Sequence, residues 1–87
     1  MPHVHIPALL RTATDGRDWV EAPGRTVREV VAALESLHPE LQDKLVRDGR
    51  LVPGMAVAID GELSSIGLNE PTEPDTEIQF IAAIQGG

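Results

Sequence analysis

The chain has 87 residues, 41% of them hydrophobic and 24% charged, which fits one small globular domain with a single modest core. Its net charge is −7, from 14 acidic residues against seven Lys and Arg, a balance that repels nucleic acid and steers basic surfaces toward it. Without cysteine the chain has no disulfide, no cysteine-ligated zinc and no thiol nucleophile, and no apolar run reaches the roughly 18 residues of a membrane span.

The N-terminal MPHVHIPALLR carries no basic leader and no small-residue cleavage site, so a cytoplasmic location is expected. His3 to Leu9 reads as a strand: Val4, Ile6 and Ala8 alternate with His3, His5 and Pro7 and leave one face to bury. Pro7 has no N–H to donate and suits an edge, a bulge or a strand end. Asp15-Gly16 is a turn pair, and Asp18 to Ala22 a second strand, so the two runs form a hairpin that Pro23-Gly24 ends.

Thr26 opens the one clear helix. Thr26 and Glu29 have the spacing of a capping box, and Val27, Val30, Val31, Leu34 and Leu37 form one apolar stripe. The helix should stop at His38, because the residue before a proline is pushed out of helical geometry. Three valines are poor helix formers, so packing on a sheet has to hold it. Pro39 to Arg47 is predicted as a short second helix with Leu41, Leu45 and Val46 turned inward and Gly49 as its stop. A loop follows, then a strand over Met55 to Ile59, the hairpin turn Asp60-Gly61, and a strand over Glu62 to Ser65. Gly67 to Pro74 is irregular. Thr76 to Ile81 is the last strand, alternating Ile78 and Phe80 with Glu77 and Gln79. One amphipathic helix and four or five short strands make a two-layer α+β domain.

Few side chains suggest chemistry. His3 and His5 share a strand face as a metal pair would, but no third ligand lies at a suitable spacing, so no metal site is expected. His38 suits a helix C-terminus, where the dipole favours it. Glu70 to Glu77 holds four acids among two prolines, in loop sequence that leaves them solvated rather than tuned for acid–base work. Ser64-Ser65 has no histidine partner, and the glycines before the C-terminus are isolated turn residues with no phosphate loop. Trp19 is expected to pack structurally, with a partner contact as the alternative. The chain does not read as a stand-alone enzyme.

The final stretch is different. From Glu77 it runs EIQFIAAIQGG, a strand-like segment ending in Gly86-Gly87. Two glycines at a free carboxylate make a thin, pliable end able to enter a narrow active site, against the alternative of a frayed terminus. Set on an α+β domain of this size, this ending resembles the ThiS/MoaD family of ubiquitin-like sulfur-carrier proteins. Four stretches carry the resemblance: IPALLR with its Asp-Gly turn, GRTVREVVAALESLHPEL, VAIDGE, and PDTEIQFIAAIQGG. Two departures are Ala82-Ala83, where relatives carry proline, and Pro74-Asp75-Thr76 in place of Asp-Gly-Asp.

The resemblance implies a β-grasp (ubiquitin-like) fold, a mixed four- to five-stranded sheet on one main helix plus a short second helix. It implies a domain over residues 1–82 and a flexible Gly-Gly tail over 83–87. In such carriers a partner adenylyltransferase, resembling the ubiquitin-activating enzymes, joins the Gly87 carboxylate to AMP from ATP. A sulfur donor then leaves a thiocarboxylate, so the carrier binds no cofactor itself. Gly86 and Gly87 are the implied reaction site, and Ile84, Gln85, Ile81 and Phe80 the implied partner contacts, with ordinary core as the other reading of Phe80. The implied acceptor is an enzyme such as the molybdopterin synthase large subunit; the cysteine, methionine and thiamine pathways are alternatives to molybdopterin. No nucleic acid or membrane partner is expected. A β-grasp binding module or protein modifier without sulfur transfer is the alternative from another class.

Overall fold

The computed structural model describes residues 1–82. The flexible tail expected over 83–87, with Ile84, Gln85, Gly86 and Gly87, lies outside the described residues.

The first strand ends sooner than its alternation suggests. β1 (His3–His5) buries Val4, but after Pro7 the chain winds into a 3-10 stretch, Ala8–Thr14. The cause is local: the Pro7 carbonyl accepts the Leu10 N–H at 2.8 Å, and Arg11 Nε donates to the Ile6 carbonyl at 3.0 Å. Ala8 is exposed as a result, while Leu10 and Ala13 pack on the core. The Asp15-Gly16 turn forms at φ 56° and 84°, closed by the Arg17 N–H on the Thr14 carbonyl. β2 (Trp19–Glu21) then pairs antiparallel with β1.

Helix α1 (Val27–Leu37) starts as read, with the Glu29 N–H donating to Thr26 Oγ1 at 3.2 Å. The Glu29 carboxylate reaches one residue further back than a standard capping box and accepts the Arg25 N–H at 2.9 Å. Val27, Val30, Val31 and Leu34 are buried, but Leu37 is 58% exposed: the last turn overhangs the sheet. His38 closes the helix with its N–H on the Leu34 carbonyl.

The short second helix is a single 3-10 turn, Pro39–Leu41, rather than a run to Arg47. Asp43 takes φ 64°, which no continuing helix tolerates, and the chain turns into a hairpin of β3 (Val46–Arg47) and β4 (Arg50–Leu51). Asp48 and Gly49 form its turn at φ 55° and 76°, so Gly49 serves a hairpin and not a helix stop. Leu41 and Leu45 still reach the core; Val46 is half-buried.

β5 (Met55–Ile59), the Asp60-Gly61 turn and β6 (Glu62–Leu63) follow. The irregular segment contains a 3-10 turn, Gly67–Asn69, and its Pro71 bridges to Thr26 beside the helix start. β7 (Glu77–Ala82) closes the fold. The sheet order is β2-β1-β7-β5-β6, with β7 parallel to β1 and antiparallel to β5. Val4, Val57, Ile78 and Phe80 from the sheet meet Val30, Val31 and Leu34 from the helix in one core. This is the β-grasp arrangement: a mixed five-stranded sheet holding one helix, with first and last strands side by side at its centre.

Candidate functional site

β7 leads to the chain's glycines; it is paired on both sides up to Gln79 and with β5 alone from Phe80 to Ala82. Ala82 is opposite Met55, Ile81 opposite Ala56 and Phe80 opposite Val57 in the β5 register, while His5 of β1 is opposite Gln79. Successive side chains on a strand point to opposite faces. Phe80 therefore enters the core at 2% exposure, and Ile81 stands on the outer face at 44%. Of these two implied partner contacts, only Ile81 offers its side chain outward.

The outer face, turned away from the helix, sets apolar side chains among polar ones such as His3, Glu21 and Gln79. The registers line up Trp19, His5, Gln79, Ala58 and Leu63 in one row across all five strands. Trp19 is 40% exposed and Leu63 71%, with His5, Gln79 and the small Ala58 between them and Ile81 beside the row. The structural packing expected of Trp19 is thus only partial and is not in the core. Trp19 stands on the outer face, its ring meeting the His5 ring at 4.9 Å and 64°, so the partner-contact alternative stays open. A groove of about 420 Å³ runs beside the end of β7, between Ile81 and the exposed Leu9. Arg11, through Ile6 and a 3.3 Å contact to His5 Nε2, fixes the wall that carries Leu9.

The other candidates are occupied elsewhere. His3 and His5 share a face, but His3 Nδ1 pairs with Glu21 at 3.2 Å, and His5 is held by Trp19 and Arg11. Among the described residues no three His, Asp or Glu side chains converge as metal ligands would. Ser64 Oγ donates to Glu70 at 2.5 Å and accepts the Ile66 and Gly67 N–H groups, which ties the irregular loop together. Glu70 is half-buried rather than solvated; Glu73, Asp75 and Glu77 are exposed. Among the described residues the carboxyl pushed above its ordinary range is Glu35, on α1, by desolvation and then by Asp43.

The model of the ThiS family matches residues 4–87, nearly the whole chain. The chain belongs to the ThiS family. Members are ubiquitin-like sulfur carriers, small proteins that other enzymes act on. A chain of the Amycolatopsis orientalis BexX/CysO complex is 31% identical, superposes with a TM-score of 0.90, and covers 100% of both chains. Mycobacterium tuberculosis CysO, an antigen, is 25% identical over 97% of this ThiS-family chain and 100% of its own, with a TM-score of 0.88. Small archaeal modifier protein 1 of Haloferax volcanii is 27% identical at a TM-score of 0.75, covering 99% and 98%. No curated protein matches the chain. No helix of the described residues is long and apolar enough to cross a membrane.

Sequence reasoning missed two features near β7. The Arg11 anchor has no pattern that sets it apart from any loop arginine. The β3–β4 hairpin did have a signal: Asp48-Gly49 between Val46-Arg47 and Arg50-Leu51 is the same turn pair read correctly at Asp60-Gly61.

Proposed function

We propose that this chain carries sulfur on the carboxylate of Gly87. A partner adenylyltransferase transfers AMP from ATP to that carboxylate with release of pyrophosphate. A sulfur donor displaces AMP to leave a thiocarboxylate, and an acceptor enzyme takes the sulfur. A free carboxylate is a poor acylating group until it gains a leaving group, which is why activation precedes sulfur transfer. The chain's part is delivery: at about 3.3–3.6 Å per extended residue, five residues beyond β7 span roughly 17 Å. The observation that carries this reading is the family match running through residue 87, on a fold whose central strand leads to that end.

The outer sheet face with Trp19, Ile81 and Leu63 is the surface we assign to the partners, with Ile84 and Gln85 following the glycines' path into the enzyme. The BexX/CysO complex supports a protein partner for a chain of this shape. For the pathway, likeness to two CysO proteins favours cysteine synthesis over the molybdopterin route preferred from sequence resemblance. A second reading, conjugation to other proteins, rests on the likeness to an archaeal modifier protein.

The test is the intact mass of untagged protein before and after incubation with ATP, a sulfide source and an adenylyltransferase. Carrier chemistry gives the mass change of one oxygen exchanged for one sulfur, absent when Gly87 is deleted. An unchanged mass with several active adenylyltransferases rules the carrier reading out, and adducts on other proteins would favour the modifier.

A further inference from the structure

Three of the chain's seven Lys and Arg meet at one hairpin. Arg47 and Arg50 sit directly opposite each other across the β3–β4 ladder. Their Cβ atoms are therefore roughly 4.5–5.5 Å apart, a like-charge placement that works against the hairpin. Arg28 of α1 extends over the same turn, its Nη1 donating to the Gly49 carbonyl at 2.8 Å. Among the described residues none of the three pairs with a carboxylate within 4 Å, although 14 acids are available to the chain. Asp48, in the turn itself, adjoins Arg47 in sequence, and Glu29 adjoins Arg28 with its carboxylate on the Arg25 N–H; both are exposed. A cleft of about 400 Å³ leads from Arg28 and Arg50 to Met55 and Ala56. Those two residues are opposite Ala82 and Ile81, so the cleft ends one strand spacing, about 4.8 Å, from the end of β7.

We propose that the Arg28–Arg47–Arg50 cluster docks an acidic peptide segment of the protein that receives the C-terminus. The link to that protein rests on the carrier reading; the acidic chemistry does not. Two opposed guanidiniums match a carboxylate, since arginine presents paired donors in a fixed fork. A third, held on the Gly49 carbonyl, extends the cluster toward the cleft. The rest of the chain is acidic and repels a polyanion approaching as a whole. A short acidic segment laid along the cleft meets the cluster alone. Bulk charge thus points to basic partner surfaces, and this hairpin is a local exception set beside the chain's exit.

The full chain, labelled with nitrogen-15, is titrated with a synthetic oligoglutamate peptide, and separately with inorganic phosphate and a short single-stranded oligodeoxynucleotide. The peptide should shift the Arg47 to Arg50 amides and the Arg28 side-chain signal. Arg47→Gln and Arg50→Gln should each weaken it about tenfold, and Arg25→Gln should not. Shifts that are absent, or spread over the surface, overturn the proposal. Equal or tighter binding of phosphate or the oligonucleotide overturns it too, since the site would then read phosphate. None of this needs the adenylyltransferase, so it fails independently of the Gly87 mass test. With that enzyme, Arg50→Gln should raise the KM for the carrier and leave kcat in place; an unchanged KM would detach the cluster from the tail-receiving protein.

Discussion

Phe80 and Ile81 are adjacent on β7 yet should fail in opposite ways when changed. Phe80 is 2% exposed at the meeting of sheet and helix, so Phe80→Ala removes a ring from a filled core. Such truncations cost about 3–5 kcal/mol, a large share of the roughly 5–15 kcal/mol that holds a small domain together. At about 4–8 °C per kcal/mol the melting temperature should fall by at least about 12 °C. Ile81 is 44% exposed, and Thr keeps its β-branch, so Ile81→Thr should cost under about 1 kcal/mol of stability. Its loss should appear in the partner reaction, where removing an apolar contact of ~1–2 kcal/mol raises the KM for the carrier roughly five- to thirtyfold. Circular dichroism melts and pyrophosphate release by the adenylyltransferase measure the two effects. If Ile81→Thr melts as early as Phe80→Ala, the outer-face placement is wrong. If it melts normally and its KM does not move, the outer face does not touch that partner.

Other changes test the scaffold. A Cβ at Gly24 would lie 2.6 Å from the Val30 backbone nitrogen and 2.9 Å from the Glu29 carbonyl carbon, so Gly24→Ala must push the helix start outward. Urea denaturation should show a loss of about 1–3 kcal/mol, and a loss within error would mean the helix shifts freely. Arg47→Glu turns a like-charge cross-strand pair into an opposite one and should stabilise the fold by ~0.2–1 kcal/mol at low salt, fading at high salt; a destabilised variant contradicts the strain argument. Glu35 titrates above its ordinary 4.5 through desolvation first and Asp43 second. Between 4.5 and its raised folded value the folded chain binds more protons than the unfolded one. Stability therefore falls as pH rises through that window, and the cost persists above it. Asp43→Asn removes the second cause and should bring the Glu35 carboxyl transition, followed by carbon-13 NMR, to lower pH; an unmoved transition would discard the Asp43 contribution.

The elements legible in the sequence were those whose signal is local and repeated. The α1 stripe, its Thr26 cap and the Asp60-Gly61 hairpin appear where the pattern put them, because periodicity and turn chemistry determine them without help from distant residues. The failures share a cause. Ala8 continued the alternation of Val4 and Ile6, but Pro7 and the Arg11 side chain redirect the backbone there, and alternation does not register a side chain reaching back five residues. Leu41 and Leu45 are spaced for a helix and are buried, yet they arrive on a 3-10 turn and a left-handed Asp43. Burial was legible there and backbone conformation was not. Leu37 and Trp19 show the limit of hydrophobicity as a guide to the core: one overhangs the sheet, the other stands on its outer face. At the candidate site the glycine ending was plain, while the Trp19 to Leu63 row needed the strand order, which no single-strand pattern contains.

That strand order bears on how a carrier of this design would work. The strand leading to the C-terminal glycines is the central one, parallel to β1 on one side and antiparallel to β5 on the other. Opening it would break its pairing with both neighbours, and from Phe80 to Ala82, where the described strand ends, β5 alone holds it. The two flanks of that point differ in chemistry. Toward β1 lie Leu9, His5 and the outward Ile81; toward β5 lie Met55 and, along the cleft, Arg50 and Arg28. On the proposed reading, an enzyme that admits Gly87 meets an apolar wall on one side of the entrance and a cationic one on the other. A symmetric apolar collar would accept any glycine-ended β-grasp chain, whereas an entrance with an acidic lip on one side favours chains that carry the arginine hairpin. Discrimination among carriers of one fold would then depend on the residues around Ala82, and on this reading the terminal glycines would serve the chemistry alone.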